Sequence, residues 1–133
     1  MISVFADTYY FLALVNRKDE AHAKAVDFGD TFRGEIVSTE WVLTEVGDAL
    51  SKPSIRPVFL ELIKNIQRNP HAVIVEATHD LFKRGLQLFE QRSDKEWSLT
   101  DCISFVVMED QGVKEALTGD HHFEQAGYTA LLR

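Results

Sequence analysis

Short apolar runs alternate with longer amphipathic stretches along the whole chain. The short runs are rich in β-forming residues and bounded by Gly, Pro or polar positions, which is typical of buried strands. The predicted strands are residues 2–6, 35–38, 72–77, 114–118 and 128–132. In the longer stretches, apolar residues recur three and four positions apart, which predicts helices. The predicted helices are residues 8–16, 18–32 and 40–50, one whose start is bracketed by Pro53 and Pro57 and which runs to about Arg68, one after Thr78 that carries Leu81, Leu86 and Phe89, one over about 99–110, and a short one around Phe123.

The alternation of strands and helices predicts an α/β fold with a mainly parallel sheet. Its length of 133 residues suits one domain, residues 1–133. Ligands of such sheets bind beyond the carboxyl ends of the strands, near a topological switch point. Asp7 and Asp120 each follow a predicted strand. We therefore expect both carboxylates at this edge of the sheet.

Composition restricts the classes of partner and compartment. The net charge of −7 argues against a nucleic-acid binder that relies on general basic charge. Two divalent cations at an acidic site would reduce it to about −3, so an acidic metal site weakens that objection. Cys102 is the single cysteine, so no intrachain disulfide is expected, which fits a cytoplasmic location. No apolar run approaches the roughly 20 residues of a membrane span, and the amino terminus does not resemble a signal peptide, so no membrane association is expected.

Four carboxylates lie where carboxylates are uncommon: Asp7, Glu45, Asp101 and Asp120 end apolar segments or share the apolar side of a helix. Each has an ordinary explanation: a helix cap for Asp7, an ion pair for Glu45, a capping box for Asp101 and a turn for Asp120. Together they map to one edge of one sheet, where their charges would repel. Oxygen ligands favour Mg²⁺ or Mn²⁺, and such ions support phosphodiester hydrolysis.

Four segments together resemble the PIN domain ribonucleases, and most closely small single-domain proteins of the VapC toxin type. The matching segments, in chain order, are FADTYYFLALVNRKDEAHAKA, STEWVLTEVGDAL, WSLTDCISFVVMED and ALTGDHHFEQAGY. The resemblance implies a three-layer α/β/α sandwich with a central parallel sheet of about five strands. The acidic quartet of Asp7, Glu45, Asp101 and Asp120 matches the catalytic, metal-binding acids of the family. Thr8 and Thr118 match positions of supporting hydroxyl residues.

The same resemblance implies Mg²⁺- or Mn²⁺-dependent endonucleolytic cleavage of RNA that leaves a 5′-phosphate and a 3′-hydroxyl. It also implies a homodimer and inhibition by an antitoxin protein encoded beside the chain. Two positions depart from the family pattern. Gly119 replaces a larger apolar residue, which predicts a more mobile loop before Asp120, and His121 replaces an Arg or Lys, which predicts a pH-dependent phosphate contact.

Three other readings stay open beside the metal-dependent endoribonuclease. One is a catalytically silent PIN-fold module that binds a protein or RNA partner. Another is a phosphoacceptor receiver, which is disfavoured because the first strand lacks an acid pair. A zinc site at His121 and His122 is disfavoured because adjacent helical residues do not share a face. The aromatic residues that could stack on bases, with core packing favoured for most, are Tyr9, Tyr10, Phe11, Trp41 and Trp97.

Overall fold

A computed structural model describes residues 2–133 and shows five strands in one sheet, all parallel. The strands are β1 (Ser3–Ala6), β2 (Glu35–Thr39), β3 (Ala72–Val75), β4 (Glu115–Leu117) and β5 (Thr129–Ala130). The helices are α1 (Thr8–Val15), α2 (His22–Thr31), α3 (Glu40–Ala49), α4 (Arg56–Arg68), α5 (His79–Gln91), α6 (Leu99–Gln111) and α7 (His121–Gln125). The helices flank the sheet in a three-layer α/β/α sandwich. The predicted fold class is confirmed.

The strand order β3-β2-β1-β4-β5 places β1 at the centre of the sheet. Phe5 in β1 pairs with Val37 of β2 on one side and with Ala116 of β4 on the other. The chain builds outward from β1 first through β2 and β3, and then in the opposite direction through β4 and β5. The topological switch point therefore lies between β1 and β4, the place where α/β sheets open a crevice for ligands.

The second predicted helix begins later than expected, at His22 rather than at Lys18. The side chain of Asn16 accepts a hydrogen bond from the backbone N–H of Lys18, and Asp19 accepts one from Ala21. Asn and Asp compete for backbone donors in this way and hold the chain in turns. The predicted strand 72–77 is shorter in the structure, at Ala72–Val75, and the predicted strand 128–132 is shortened to Thr129–Ala130.

Helix α6 lies at the centre of the core. Ile103 and Met108 are fully buried in it, and Phe105 packs its ring against Trp97 and Phe123 at centroid distances of 5.0 and 4.9 Å. Between Cys102 and Met108 the helix has one polar residue, Ser104, so this stretch has no polar face to turn toward solvent and is buried. The amino-terminal end of α6, which carries Asp101, is thereby held in the core.

Helix α5 packs closely on α6 but keeps part of its apolar surface exposed. A Cβ atom on Gly85 would lie 2.3 Å from Cγ1 of Ile103, so only glycine permits this approach. On the outer side, Phe82, Leu86 and Phe89 are 38, 44 and 45% exposed. No helix within residues 2–133 is long and apolar enough to cross a membrane.

Candidate active site

Two of the four acids follow the carboxyl ends of neighbouring strands. Asp7 follows β1 and is the N-cap residue of α1, and Asp120 follows β4 by three residues and is the N-cap residue of α7. Because β1 and β4 are paired in parallel, their carboxyl ends lie side by side. Both acids therefore stand at the switch point of the sheet.

The four acids predicted from the sequence border one pocket of about 370 Å³. Asp101 comes from the start of α6 and Glu45 from the middle of α3, so the pocket joins segments distant in the chain. The other lining residues are Thr8, Tyr9, Leu12, Glu96, Ser98 and His122. The structure thus brings together every residue of the predicted quartet and Thr8. Thr118 is completely buried directly behind the pocket.

Asp7 is the most deeply buried acid of the pocket, at 6% exposure. Burial raises the pKa of Asp7 to about 7, and the charges of Asp101 and Glu45 contribute in the same direction. The Thr118 hydroxyl donates a hydrogen bond to Oδ2 of Asp7 at 2.9 Å, which opposes the rise. A carboxyl in this position holds its negative charge only at a cost in free energy, and that cost would fall if a cation were present.

Thr118 joins the two sides of the switch point. Besides donating to Asp7, its hydroxyl oxygen accepts a hydrogen bond from the backbone N–H of Asp120 at 3.0 Å. One buried side chain thereby orients the carboxyl group of Asp7 and the loop that carries Asp120. The oxygen of a small hydroxyl side chain can donate to one partner and accept from another at the same time.

Asp101 serves the local structure and the pocket together. Its backbone N–H donates to Oγ of Ser98 at 3.0 Å, and the backbone N–H of Ser98 donates to Oδ2 of Asp101 at 3.1 Å, which is a capping box. Burial raises the pKa of Asp101, the charge of Asp120 adds to the rise, and His122 opposes it. The structural reading of this residue and its place in the pocket are therefore compatible.

Glu45 lies at the exposed rim of the pocket. The sequence pattern placed it on the buried face of its helix, and this placement is wrong: Val42 and Val46 are buried, but Glu45 is exposed. Its carboxylate accepts a short hydrogen bond from the hydroxyl of Thr8. Ala49, which helical spacing places on the same face, is exposed as well, so the buried face of α3 is narrower than the sequence predicts. Glu45 reaches the pocket through its long side chain rather than by sharing the buried stripe.

His121 and His122 are closer to each other than helical spacing predicts. Their ring centroids lie 4.4 Å apart, and both Nδ1 atoms approach Oδ1 of Asp120, at 3.6 and 3.3 Å. Contrary to the prediction from helical spacing, these two adjacent residues come together, because both belong to the first turn of a five-residue helix and approach its N-cap residue, Asp120. Within residues 2–133, Asp120, His121 and His122 form the one group of three such side chains with ligand atoms within 4.8 Å of one another.

Tyr9, Glu96 and His122 also line the pocket but were not assigned to a site from the sequence. Of the aromatic residues considered for base stacking, Tyr9 is exposed at the pocket and the others are buried or half-buried. A Cβ atom on Gly119 would lie 2.5 Å from Cζ of Tyr9, so the tyrosine ring occupies the space of the missing side chain. In the sequence, Gly119 indicated that a side chain is missing next to Asp120, but it did not indicate that the ring of Tyr9 fills the space.

Comparison with known proteins agrees with this architecture. The chain is 24% identical over 128 residues to the protein named 23S rRNA-specific endonuclease VapC20 of Mycobacterium tuberculosis, in strains CDC 1551 / Oshkosh and H37Rv, covering 96% of this chain and 97% of that protein. The crystal structure of Mycobacterium tuberculosis VapC20, described as a sarcin-ricin loop cleaving toxin, superposes with a TM-score of 0.85 and 23% identity, over 95% of this chain and 96% of that one. The PIN domain family model matches residues 4–127. This chain belongs to the PIN domain family.

Proposed function

We propose that this chain is a metal-dependent endoribonuclease that hydrolyses RNA phosphodiester bonds. The observation that carries the proposal is the pocket at the switch point, which gathers acids from four separate segments of a PIN domain. Asp7, Glu45, Asp101 and Asp120 are the proposed catalytic and metal-binding residues. Thr8 and Thr118 are the proposed supporting residues, because they donate hydrogen bonds to Glu45 and Asp7.

The pocket fits a hard divalent cation by the chemistry of its donors. Its acids offer carboxylate oxygens, the ligands that Mg²⁺ and Mn²⁺ prefer. Burial raises the pKa of Asp7 to about 7, and the negative charges of Asp101 and Glu45 add to the rise, so a bound cation would stabilise the ionised carboxylates. When bound, Mg²⁺ or Mn²⁺ would polarise water and the scissile phosphate and offset the charge that develops on the phosphoryl oxygens.

The remaining proposed roles, orienting the acids and contacting the substrate, belong to the protein's own side chains. Thr118 keeps Asp7 oriented, and the capping box keeps Asp101 at the start of a rigid central helix, so neither acid has to be ordered when substrate binds. Glu45, at the rim, is the one exposed acid of the four, and the Thr8 hydroxyl orients its carboxylate. Tyr9 stands 37% exposed at the pocket, where its ring can stack on a base next to the cleaved bond.

RNA is the proposed substrate, and ribosomal RNA is the first to test. This choice rests on VapC20, a protein named for cleavage of 23S rRNA, to which the chain is similar over almost its whole length. Substrates should include intact 23S rRNA, a short hairpin with the sarcin-ricin loop sequence, and an unrelated structured RNA of equal length.

The decisive test is cleavage with Mg²⁺, Mn²⁺ or excess EDTA. Asp7→Asn and Asp101→Asn should each lose about a hundredfold or more of the activity, since metal-assisted charge stabilisation contributes several kcal/mol. Asp27→Asn, the same chemical change at an exposed position of α2, is the matched control and should cleave like the wild type. Cleavage that persists in EDTA and in both site variants contradicts the proposal. RNA binding with no cleavage by the wild type would favour the silent binding module instead.

We further propose that the chain acts as the toxin of a toxin-antitoxin pair in the cytoplasm and forms a homodimer. The family resemblance supports the antitoxin partner, and the exposed apolar residues of α5 support a second copy as the occupant of that face. Co-expression with the neighbouring reading frame should relieve growth arrest. Sedimentation should give twice the chain mass of 15.1 kDa, and Leu86→Lys should yield monomers. A monomeric wild type contradicts the dimer.

A further inference from the structure

Two histidines, His121 and His122, lie at the edge of the acidic pocket, although a site for hard cations such as Mg²⁺ does not need imidazole ligands. His121 and His122 approach the same oxygen, Oδ1 of Asp120, with their Nδ1 atoms at 3.6 and 3.3 Å. Two ligand atoms bound to one tetrahedral Zn²⁺ ion at about 2.1 Å are separated by about 3.4 Å. The two spacings already resemble those of a tetrahedral ion's ligands.

The chemistry of the three donors differs from that of the acidic quartet. Two neutral imidazole nitrogens and one carboxylate oxygen suit Zn²⁺ and other borderline-soft transition metals, whereas Mg²⁺ and Mn²⁺ favour oxygen. Three protein ligands leave a fourth position for water, as in open zinc sites. His121 is exposed and able to adjust, with 59% of its side chain accessible, whereas His122 is largely enclosed, at 18%.

His122 also connects this group to the rest of the pocket. Its Nδ1 atom lies 3.3 Å from Oδ2 of Asp101 and 3.3 Å from Oδ1 of Asp120, so one imidazole nitrogen stands between two of the proposed Mg²⁺ ligands. A nitrogen that binds a metal ion can no longer donate a hydrogen bond to Asp101. Occupation of the histidine pair would therefore take Asp120 from the acidic quartet and remove the partner that His122 provides to Asp101.

We propose that Asp120, His121 and His122 form a second metal site, selective for Zn²⁺ or a similar transition metal, whose occupation inhibits the acidic site. The inhibitory part rests on the proposed ribonuclease function, because it assumes that Asp101 and Asp120 serve the cleavage reaction. The binding part does not depend on it.

Binding is measured first, without RNA and without Mg²⁺. Calorimetry should detect one Zn²⁺ per chain, and Co²⁺ should give the visible absorption of a site with nitrogen and oxygen ligands in low coordination. His121→Ala and His122→Ala should each weaken Zn²⁺ binding about tenfold or more, since even partners of metal ligands contribute that much. His71→Ala removes an exposed histidine remote from the pocket and should bind like the wild type. Equal affinity in the wild type and both site variants overturns the site.

Inhibition is measured as the ratio of cleavage rates with and without Zn²⁺ at fixed Mg²⁺, separately for each variant. The ratio should be low for the wild type and His71→Ala, and near one for His121→Ala and His122→Ala. An equally low ratio in all four overturns the inhibitory role. Asp7→Asn separates the two proposals, because it should lose cleavage but retain Zn²⁺ binding. A wild type that binds Zn²⁺ as described but cleaves no RNA refutes the ribonuclease and leaves the zinc site standing.

Discussion

Replacing Asp7 with Asn should make the ion-free protein more stable at neutral pH while lowering the proposed RNA cleavage about a hundredfold or more. Burial raises the pKa of Asp7 to about 7 from an ordinary value of 3.8. Asn resembles the protonated carboxyl in size and can still accept the hydrogen bond from Thr118. The substitution therefore removes the cost of the charge and preserves the packing around it.

The direction and magnitude of the effect follow from linkage between protonation and folding. Below pH 3.8 Asp7 is protonated in both the folded and the unfolded states and has no effect. Between pH 3.8 and about 7 the unfolded state loses this proton while the folded state keeps it, so the stability of the wild type falls as the pH rises. Each pH unit changes the free energy of unfolding by up to about 1.4 kcal/mol, so the whole interval of about three units amounts to roughly 4 kcal/mol.

The assay is urea denaturation in EDTA at a series of pH values from 4 to 8, with wild type, Asp7→Asn and Asp27→Asn as the exposed control. The difference in unfolding free energy between Asp7→Asn and the wild type should increase with pH and level off above about 7. Added Mg²⁺ should then stabilise the wild type more than the variant at pH 8. A difference that does not vary with pH refutes the reasoning, because Asp7 would then carry no unfavourable charge in the folded state.

Three further substitutions test the packing of α6 and of the loop that carries Asp120. Gly85→Ala should lower the free energy of unfolding by about 1–3 kcal/mol in urea denaturation, because the new Cβ would lie 2.3 Å from Cγ1 of Ile103. Ser104→Ala should leave the free energy of unfolding unchanged or raise it by about 1 kcal/mol, since within residues 2–133 the buried Ser104 hydroxyl has no hydrogen-bond partner. A decrease in the free energy of unfolding of more than about 1 kcal/mol would show that the hydroxyl has a partner. Gly119→Ala should displace the exposed ring of Tyr9, raising KM for RNA with little change in unfolding free energy, and an unchanged KM would contradict a role for that ring in binding.

The candidate site was predictable from the sequence to the extent that it depends on strand ends. Asp7 and Asp120 follow apolar runs, and the carboxyl ends of parallel strands share one edge, so these two acids could be placed without coordinates. Asp101 could be assigned to a capping box for the same local reason, since Ser98 stands three positions before it. The resemblance to PIN domains then matched all four acids to the acidic quartet of the family and implied the fold, and the structure confirms the fold.

Features that depend on how helices are packed could not be predicted in this way. The exposure of Glu45 depends on how α3 is rotated against its neighbours, and helical periodicity alone placed it on the wrong face. The convergence of His121 and His122 on Asp120 depends on where a short helix begins, and helix ends are the least certain part of any sequence pattern. The ring of Tyr9 fills the space beside Gly119, which is 110 positions away in the chain, and no local sequence pattern indicates a contact over that separation.

The sequence by itself determined the α/β alternation, the parallel sheet and the edge at which the acids lie, because these follow from the spacing of apolar residues within each element. Only the tertiary structure decided that β1 lies beside β4, so that Thr118 bridges Asp7 and the loop of Asp120. The strand order and this contact are set by the packing of the whole core. Packing is a property of surfaces that meet in three dimensions, and no periodicity along the chain encodes it.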